Sequence, residues 1–189
     1  MLSKNIIFKN FKLKKNNYNI KKDLDIILRE NNETLKSLGV DYKNSYNKKT
    51  IKKYRKYSNI NIIGMGGSIL GAESIYDFLK FKIKKNFYFN NNLQPKIKYF
   101  NKQKKINLIV SKSGNTLETI SNSNIIIKKS DKNIFITENR GSYLYLLAEK
   151  LKAEIIHHNN YIGGRYSVLS EVGMLPAELM GLNVSKFKQ

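Results

Sequence analysis

Cysteine and tryptophan are absent from this 189-residue sequence, and proline occurs only twice. Without cysteine there can be no disulfides and no thiolate metal sites, which fits a reducing compartment such as the cytoplasm. No apolar run approaches the roughly 18 residues that cross a bilayer. Residues 1–17 contain only a short apolar patch broken by lysines, which is not the form of a signal peptide. We therefore expect a cytoplasmic protein with no membrane partner.

Acidic residues are also scarce, since 14 Asp and Glu stand against 35 Lys and Arg, for a net charge of +21. Such a charge often indicates a nucleic-acid partner, for which basic and aromatic side chains cluster on one face. Here the lysines are dispersed in pairs along the whole chain, and arginines are rare. Because Lys, Asn and Ile share A- and T-rich codons, a low-GC genome is the simplest cause. Nucleic-acid binding is therefore the disfavoured alternative, and we expect no nucleic-acid partner.

The first 58 residues are polar, basic and poor in glycine, and we interpret 1–58 as an N-terminal helical arm. Between residues 20 and 38, leucines and isoleucines recur at helical spacing, and Gly39 is a plausible C-terminal cap. A second helix is expected over 46–57.

From residue 59 to residue 189, short apolar runs alternate with helical patterns, and we interpret this part as one domain. The predicted strands are 60–63, 96–101, 106–110, 133–137 and 153–157. Strands separated by helices predict a parallel sheet covered on both faces. With right-handed crossovers, the fold class is α/β, a doubly wound five-stranded parallel sheet flanked by helices.

The first predicted strand ends in the string GMGGS at 64–68. Glycines let a backbone approach a ligand closely, and the helix that follows offers N–H groups to an anion. Ile69 stands where a dinucleotide-binding G-x-G-x-x-G requires glycine, and no Walker lysine follows. The alternative is a glycine turn that only packs a helix on a strand.

The third predicted strand ends in SKSGNT at 111–116, which has three hydroxyl side chains at a strand-to-helix junction. Ser111, Ser113 and Thr116 can each donate a hydrogen bond to a phosphate, and the helix start adds backbone donors. The alternative is that the hydroxyls cap the helix, and at least one is expected to do so. Three in six residues exceed what a cap requires, so we favour phosphate.

The fifth predicted strand is followed by GGRYS at 163–167, which holds one of the rare arginines, Arg165, beside two glycines. All three loops follow strands of one parallel sheet, and ligands bind beyond the carboxyl ends of such strands. Arg165 is therefore a candidate ligand group rather than a surface ion-pair partner.

These three loops, in this order and at these intervals, resemble the glucose-6-phosphate isomerase family. The strings that carry the resemblance are GMGGSILGAE, SKSGNTLET and GGRYSVLSEVGMLP, within residues 60–182. The first two are also similar to sugar isomerase (SIS) domains in general. The resemblance implies a SIS fold. It also implies that the phosphate is bound by Ser111, Lys112, Ser113 and Thr116, and that Gly67 and Ser68 lie beside the sugar. Arg165 would be the cation that stabilises the negative charge of the enediolate.

The resemblance also implies a reaction. The family moves a proton between C1 and C2 of a hexose 6-phosphate, uses no metal or organic cofactor, and works as a homodimer. Its base glutamate and its ring-opening histidine and lysine lie beyond the third motif. Glu171 and Glu178 do not match the position of the base. For His157 and His158 we expect a structural role.

Because the sequence ends at Gln189, we expect an incomplete N-terminal portion of such an enzyme, without a second SIS domain and inactive alone. Half of a split enzyme is a less favoured reading. A stand-alone SIS module that senses sugar phosphates is the main alternative. The first two loops fit it equally well, whereas GGRYS and the helix after it argue against it.

Overall fold

The computed structural model describes residues 18–30, 32–94, 96, 98–100, 104–138 and 140–188. The chain forms two compact units, Met1–Asn32 and Glu33–Gln189. The smaller unit contains helix α1 (Tyr18–Arg29). Helices α2 (Glu33–Leu38) and α3 (Lys48–Tyr54) belong to the larger unit, together with the sheet. The division into an arm 1–58 and a domain 59–189 stays a prediction.

The prediction of a single helix over 20–38 is wrong, because α1 ends at Arg29 and α2 begins at Glu33. Asn32 lies between them, and asparagine competes with helical backbone bonds through its own side chain. Helix α3 is shorter than the expected 46–57. Its start is fixed by Asn47, whose Oδ1 accepts from the N–H groups of Lys49 and Thr50 at 2.8 and 3.2 Å.

A five-stranded sheet forms the centre of the larger unit, and all its neighbouring strands are parallel. Its order is β2-β1-β3-β4-β5. The strands are β1 (Asn59–Gly64), β2 (Asn86–Asn90), β3 (Lys105–Val110), β4 (Lys132–Thr137) and β5 (Glu154–His157). The helices that follow β1 are α4 (Leu70–Leu79), α5 (Leu117–Ile126), α6 (Tyr143–Lys150) and α7 (Glu171–Leu179). The predicted fold class is therefore confirmed.

The second strand is not where the sequence placed it. Instead of 96–101, the strand is Asn86–Asn90. Phe87 and Phe89 point to one face of the sheet and pack on Tyr76 of α4, with ring centroids 5.3 and 5.5 Å apart. Phe100, in the expected strand, donates its backbone N–H to the side chain of Asn61 at 2.9 Å. Residues 97 and 101 of the expected strand lie outside the described residues.

The two faces of the sheet bury separate apolar layers, which explains where the helices lie. One face carries Ile62 and Leu108 and packs on α4 and α7, as shown by Ile75 and Leu175. On the opposite face, strand residues meet α5 and α6, and this layer consists of Ile63, Ile109, Phe135, Ile126, Leu144 and Ala148. Helix α4 follows β1 and α5 follows the neighbouring β3, so the two helices leave the sheet on opposite faces. The carboxyl ends of β1 and β3 therefore flank the crevice where such sheets bind ligands.

Three asparagines cross the middle of the sheet in register: Asn61 of β1, Asn107 of β3 and Asn133 of β4. The Asn61 amide donates to Asn107 Oδ1 at 2.8 Å, and the Asn107 amide donates to Asn133 Oδ1 at 2.8 Å. All three are buried. Because a slip in register would leave these amides unpaired, the row fixes how the three strands align.

Within the ranges that the structure describes, no helix has both the length and the apolar character needed to cross a membrane.

Candidate functional site at the carboxyl edge of the sheet

The loops after β1 and β3 start from neighbouring residues. Gly64, the last residue of β1, pairs in the sheet with Val110, the last residue of β3. The sequence predicted that the two loops would lie at one edge of the sheet, and the observed strand order places them side by side. The edge between β1 and β3 is therefore the candidate binding site.

The loop after β1 forms a short 3-10 turn, Gly66–Ser68. Gly66 has φ +56°, a conformation that favours glycine. Gly67 packs directly on the backbone of Gly164, and a Cβ added at Gly67 would lie 2.2 Å from the Gly164 carbonyl oxygen. The first glycine loop and the GGRYS loop thus touch backbone to backbone, and only glycine fits at this contact.

Ser167 joins the same two loops through its side chain. Its hydroxyl lies 2.9 Å from the carbonyl oxygen of Gly67 and 2.8 Å from that of Gly164, and its single proton can serve either acceptor. The side chain is buried. Our reading of the sequence missed this role, although Ser167 stands in the same motif as Arg165.

The loop 111–116 folds around a buried glycine. Gly114 has φ +67°, and a Cβ there would lie 2.0 Å from the hydroxyl of Ser142. The Gly114 N–H donates to Ser111 Oγ at 3.2 Å, and the hydroxyls of Ser111 and Thr116 are 3.0 Å apart. Ser113 Oγ accepts from the Asn115 N–H at 3.3 Å. The three hydroxyls are therefore held by contacts inside one compact turn.

Thr116 occupies the N-cap position of α5, but its side chain makes no capping hydrogen bond. The expectation that one hydroxyl caps the helix is therefore wrong at the residue best placed to do so. The β1–β3 edge thus holds a helix N-terminus with hydroxyls beside it. That arrangement attracts anions through the N–H groups of the first turn and the positive end of the helix dipole.

Lys112 connects this loop to the segment before Arg165. Its ammonium group donates to the backbone oxygen of Asn160, and its own carbonyl accepts from the Glu138 N–H at 3.1 Å. A lysine in a loop of hydroxyls adds positive charge where we expect a phosphate. The contact also joins the loop after β3 to the segment after β5.

Arg165 lies in a six-residue 3-10 segment, Gly164–Leu169, and its side chain is exposed. It lines a groove of about 1000 Å³ with Gly67 and with Leu70 and Phe78 of α4. The residues of the loop 111–116 do not line this groove. The structure therefore brings Arg165 and Gly67 together, and it connects the candidate phosphate loop to them through Lys112 and through the β1–β3 pairing.

The two histidines differ in their surroundings. His157 is exposed, whereas His158 is buried with its Nδ1 3.2 Å from Oε1 of Glu171. Burial would raise the pKa of Glu171, but hydrogen bonds from His158, from its own backbone N–H and from Tyr42 outweigh burial and hold that pKa below its ordinary value. Neither partner is open to a substrate, which fits the structural role expected for His158. In the described part of the chain, no three His, Asp or Glu side chains are placed to hold a metal ion.

The chain matches a known protein family over most of its length. A family model described as phosphoglucose isomerase matches residues 29–188. The chain belongs to the phosphoglucose isomerase family. The match includes all three loops, and it also extends into the segment before residue 58, which had contributed little to the resemblance seen in the sequence.

One relative in this family is a glucose-6-phosphate isomerase of Methanocaldococcus jannaschii, which is 38% identical over 148 residues. The alignment covers 71% of this chain but 36% of that protein. The chain thus spans about a third of this relative's length, and what the whole relative does comes to this chain only as a proposal.

Solved structures share the fold of this phosphoglucose isomerase family member at lower identity. A hypothetical protein of Thermus thermophilus is 20% identical with a TM-score of 0.67, over 88% of this chain and 44% of the other. Tagatose-6-phosphate ketose/aldose isomerase of Escherichia coli is 17% identical with a TM-score of 0.54, over 74% and 43%. These likenesses support the α/β architecture alone.

Proposed function

We propose that this chain binds a hexose 6-phosphate at the carboxyl ends of β1 and β3, as the phosphate-binding part of a glucose-6-phosphate isomerase. One observation carries the proposal. The loop 111–116 brings three hydroxyls and Lys112 to the N-terminus of α5, at the edge of the sheet where β1 and β3 end. Family membership supplies the substrate class, and the chemistry of the loop suits the phosphate.

In this proposal the phosphate lies against the start of α5. Ser111, Ser113 and Thr116 donate hydrogen bonds to its oxygens, and Lys112 adds charge. Either hydroxyl can be the donor in the Ser111–Thr116 contact of 3.0 Å. Ser111 is buried, and the half-buried Thr116 is the one that can turn its proton to a ligand. Gly67 and Ser68 lie beside the sugar, because their loop starts from the strand next to the phosphate loop.

Arg165 is proposed to stabilise the negative charge that grows on the sugar oxygens when a proton leaves C2 and an enediolate forms. Since this charge is absent from the ground state, a fixed guanidinium favours the transition state over the substrate. The contact between Gly67 and Gly164 supports the assignment, because it holds the arginine's loop against the loop assigned to the sugar.

The base that moves the proton is proposed to come from outside this chain. The carboxylate that follows the arginine motif, Glu171, is fully buried and committed to His158 and Tyr42. We accordingly propose that the 189-residue chain binds substrate and does not convert it, and that the complete enzyme is a cytoplasmic homodimer without a nucleic-acid partner or a cofactor.

A direct test measures binding and turnover on the same preparation. Calorimetric titration of the purified chain should show saturable binding of glucose 6-phosphate, and much weaker binding of glucose at the same ionic strength. A coupled assay for fructose 6-phosphate should show no turnover above background. Equal affinity for both sugars would overturn the binding proposal, and turnover near that of a full-length relative would overturn the proposal of an external base.

A further inference from the structure

Glu171, the first residue of α7, is completely buried, and each of its carboxylate oxygens lies close to a polar atom of another segment. Oε1 lies 3.2 Å from Nδ1 of His158, which follows the last residue of β5. Oε2 accepts a hydrogen bond from the hydroxyl of Tyr42 at 2.8 Å. Tyr42 lies between α2 and α3, so a single carboxylate joins three separate parts of the larger unit.

The same tyrosine hydroxyl has a second partner. It accepts a hydrogen bond from the side-chain amide of Asn159 at 2.9 Å. Burial and the neighbouring charge of Glu171 raise the pKa of Tyr42, so its hydroxyl stays protonated and remains a donor to the carboxylate. Tyr42 thus contacts the beginning of the segment 159–170 at Asn159 and the residue just after it at Glu171.

The segment enclosed by these contacts carries the candidate site residues of the third loop. It contains Arg165 and also Asn160, the acceptor of the Lys112 ammonium group. It is anchored once more at Tyr161, whose carbonyl oxygen accepts from the hydroxyl of Thr34 at 2.7 Å. In its middle, the segment is also held where Gly164 packs on Gly67 and where the buried Ser167 bonds to the same loop. The contacts around Glu171 and Tyr42 add to these by holding the two ends, and the exposed Arg165 lies between them.

We propose that His158, Tyr42 and Glu171 are positioning residues that close the segment 159–170 at its base and thereby hold Arg165 and the Asn160 acceptor in place. This inference rests on the proposed function for the role of Arg165, but the closure itself does not depend on a ligand. A polar cluster this deeply buried contributes little net stability and can instead enforce one arrangement of the chain. Because these residues lie at the two ends of the segment that carries Arg165, the arrangement they enforce is that of this segment.

A second tyrosine–glutamate contact on α7 offers a matched control. The hydroxyl of Tyr46 donates to Oε1 of Glu178 at 3.0 Å. This bond also joins the segment between α2 and α3 to α7, but it lies near the other end of the helix and encloses no part of 159–170. Loss of the Tyr42–Glu171 bond should loosen the packing of Tyr42 on α7, and loss of the Tyr46–Glu178 bond should loosen that of Tyr46. Only loss of the Tyr42–Glu171 bond should release the segment 159–170.

The test compares Tyr42→Phe with Tyr46→Phe in the full chain, by amide hydrogen exchange of peptides within 159–166. Tyr42→Phe should speed this exchange by roughly tenfold or more, since it removes a hydrogen bond to a charged group, and Tyr46→Phe by less than about twofold. Glu171→Ala should exceed Tyr42→Phe, and Glu171→Gln, which keeps the shape and an acceptor for Tyr42, should restore part of the protection. Equal exchange in the two tyrosine variants, or unchanged exchange in Tyr42→Phe, would overturn the inference. If Glu171→Ala does not fold, the tyrosine pair still decides.

Binding of glucose 6-phosphate provides the second readout. Arg165 is assigned to charge that forms only in the transition state, so the effect on binding comes through Asn160, whose carbonyl holds Lys112 of the phosphate loop. Where the segment loosens, affinity should therefore fall by several-fold in Tyr42→Phe and stay within about twofold of wild type in Tyr46→Phe. Loosening without any loss of affinity would overturn the positioning role while leaving the phosphate loop intact. Absence of binding in the wild-type chain would sink the proposed function and leave the exchange comparison as the test of the closure.

Discussion

The hydroxyl of Ser167 lies 2.9 Å from the carbonyl oxygen of Gly67, a residue one hundred positions earlier in the chain. Next to this bond, the backbone of Gly164 packs on Gly67 with no room for a side chain. The loop that carries Arg165 is therefore fixed against the loop that follows β1. The relative placement of the two loops depends on backbone contact and one buried hydroxyl.

Gly67→Ala should damage this junction. The added Cβ would lie 2.2 Å from the Gly164 carbonyl oxygen, so one loop must shift. We expect about 1–3 kcal/mol of lost stability, as for overpacking elsewhere, together with weaker binding of glucose 6-phosphate. Gly163→Ala is the control, because its Cβ would meet only Tyr166 at 3.7 Å. Thermal unfolding and calorimetry measure both effects, and similar results for the two variants would contradict the account.

Arg165→Ala should lower kcat in an active enzyme that contains this chain. A fixed cation acts on charge that exists only in the transition state, so the loss should be about 10²–10³-fold, as for removal of an oxyanion donor. KM should change little, because the phosphate is bound by another loop. Arg165→Lys should recover part of the rate, since lysine keeps the charge but lacks the planar fork. A large rise in KM with kcat intact would show that Arg165 binds phosphate or serves the structure.

Asn107→Ala should destabilise the domain without changing the site in the folded fraction. It leaves Asn133 Oδ1 without its donor, and it removes the acceptor at 2.8 Å from the buried Asn61 amide, which keeps a longer bond of 3.4 Å to the Phe100 carbonyl. With a cost of about 1–3 kcal/mol for an unsatisfied group and a smaller one for the weakened Asn61 bond, we expect a loss of roughly 1–5 kcal/mol. The matched control is Asn86→Ala, which removes an exposed amide bond to Asn59. Denaturant titrations that gave the two variants equal stability would contradict a stabilising role for the row of three asparagines.

Acid should destabilise the protein through Glu154 and Glu171. Burial would raise both pKa values, but hydrogen bonds outweigh it and hold both below the ordinary 4.5. These bonds come from Lys53 and Thr50 to Glu154, and chiefly from His158 to Glu171. A group with a depressed pKa stabilises the fold above its unfolded pKa, and this contribution is lost as pH falls through the folded value.

Unfolding free energy should therefore be nearly flat for these groups from pH 7 to about 5 and should fall below about 4.5. Glu154→Gln and Glu171→Gln should each lower stability at pH 7 and make the acid limb shallower. Denaturant titrations over a pH series measure this. Variants with an acid limb as steep as that of the wild type would show that other carboxylates are responsible.

The sequence predicted most of the sheet, because four strands are short apolar runs, three of which are followed by the glycine- or hydroxyl-rich loops of the candidate site. The prediction of β2 was wrong because its apolar pattern is short. It consists of two alternating phenylalanines, flanked by the polar residues Lys84, Lys85, Asn86 and Asn90. That pair becomes recognisable only with its partner, Tyr76 of α4, in place. Tertiary packing outweighed local polarity.

The candidate site was predictable as far as the motifs reach. Loops 64–68, 111–116 and 163–167 were found from their composition, and the parallel direction of the strands explains why they share an edge. Two contacts were not predicted. The bond from Ser167 to Gly67 joins residues that are distant in the sequence, and the contact of His158 with Glu171 joins residues that share no motif. Contacts of that kind leave no periodicity and no local spacing to read.

The most direct test of the central claim is calorimetric titration of glucose 6-phosphate into the Ser113→Ala, Thr116→Ala double variant. Asn47→Ala is the control, since it removes a helix cap on α3 and costs stability away from the site. Each charge-assisted hydrogen bond should contribute about 1.5–3 kcal/mol, so affinity should fall by at least a hundredfold in the double variant and stay unchanged in the control. Unaltered affinity for glucose 6-phosphate in a folded double variant would contradict the assignment of the loop 111–116 to phosphate.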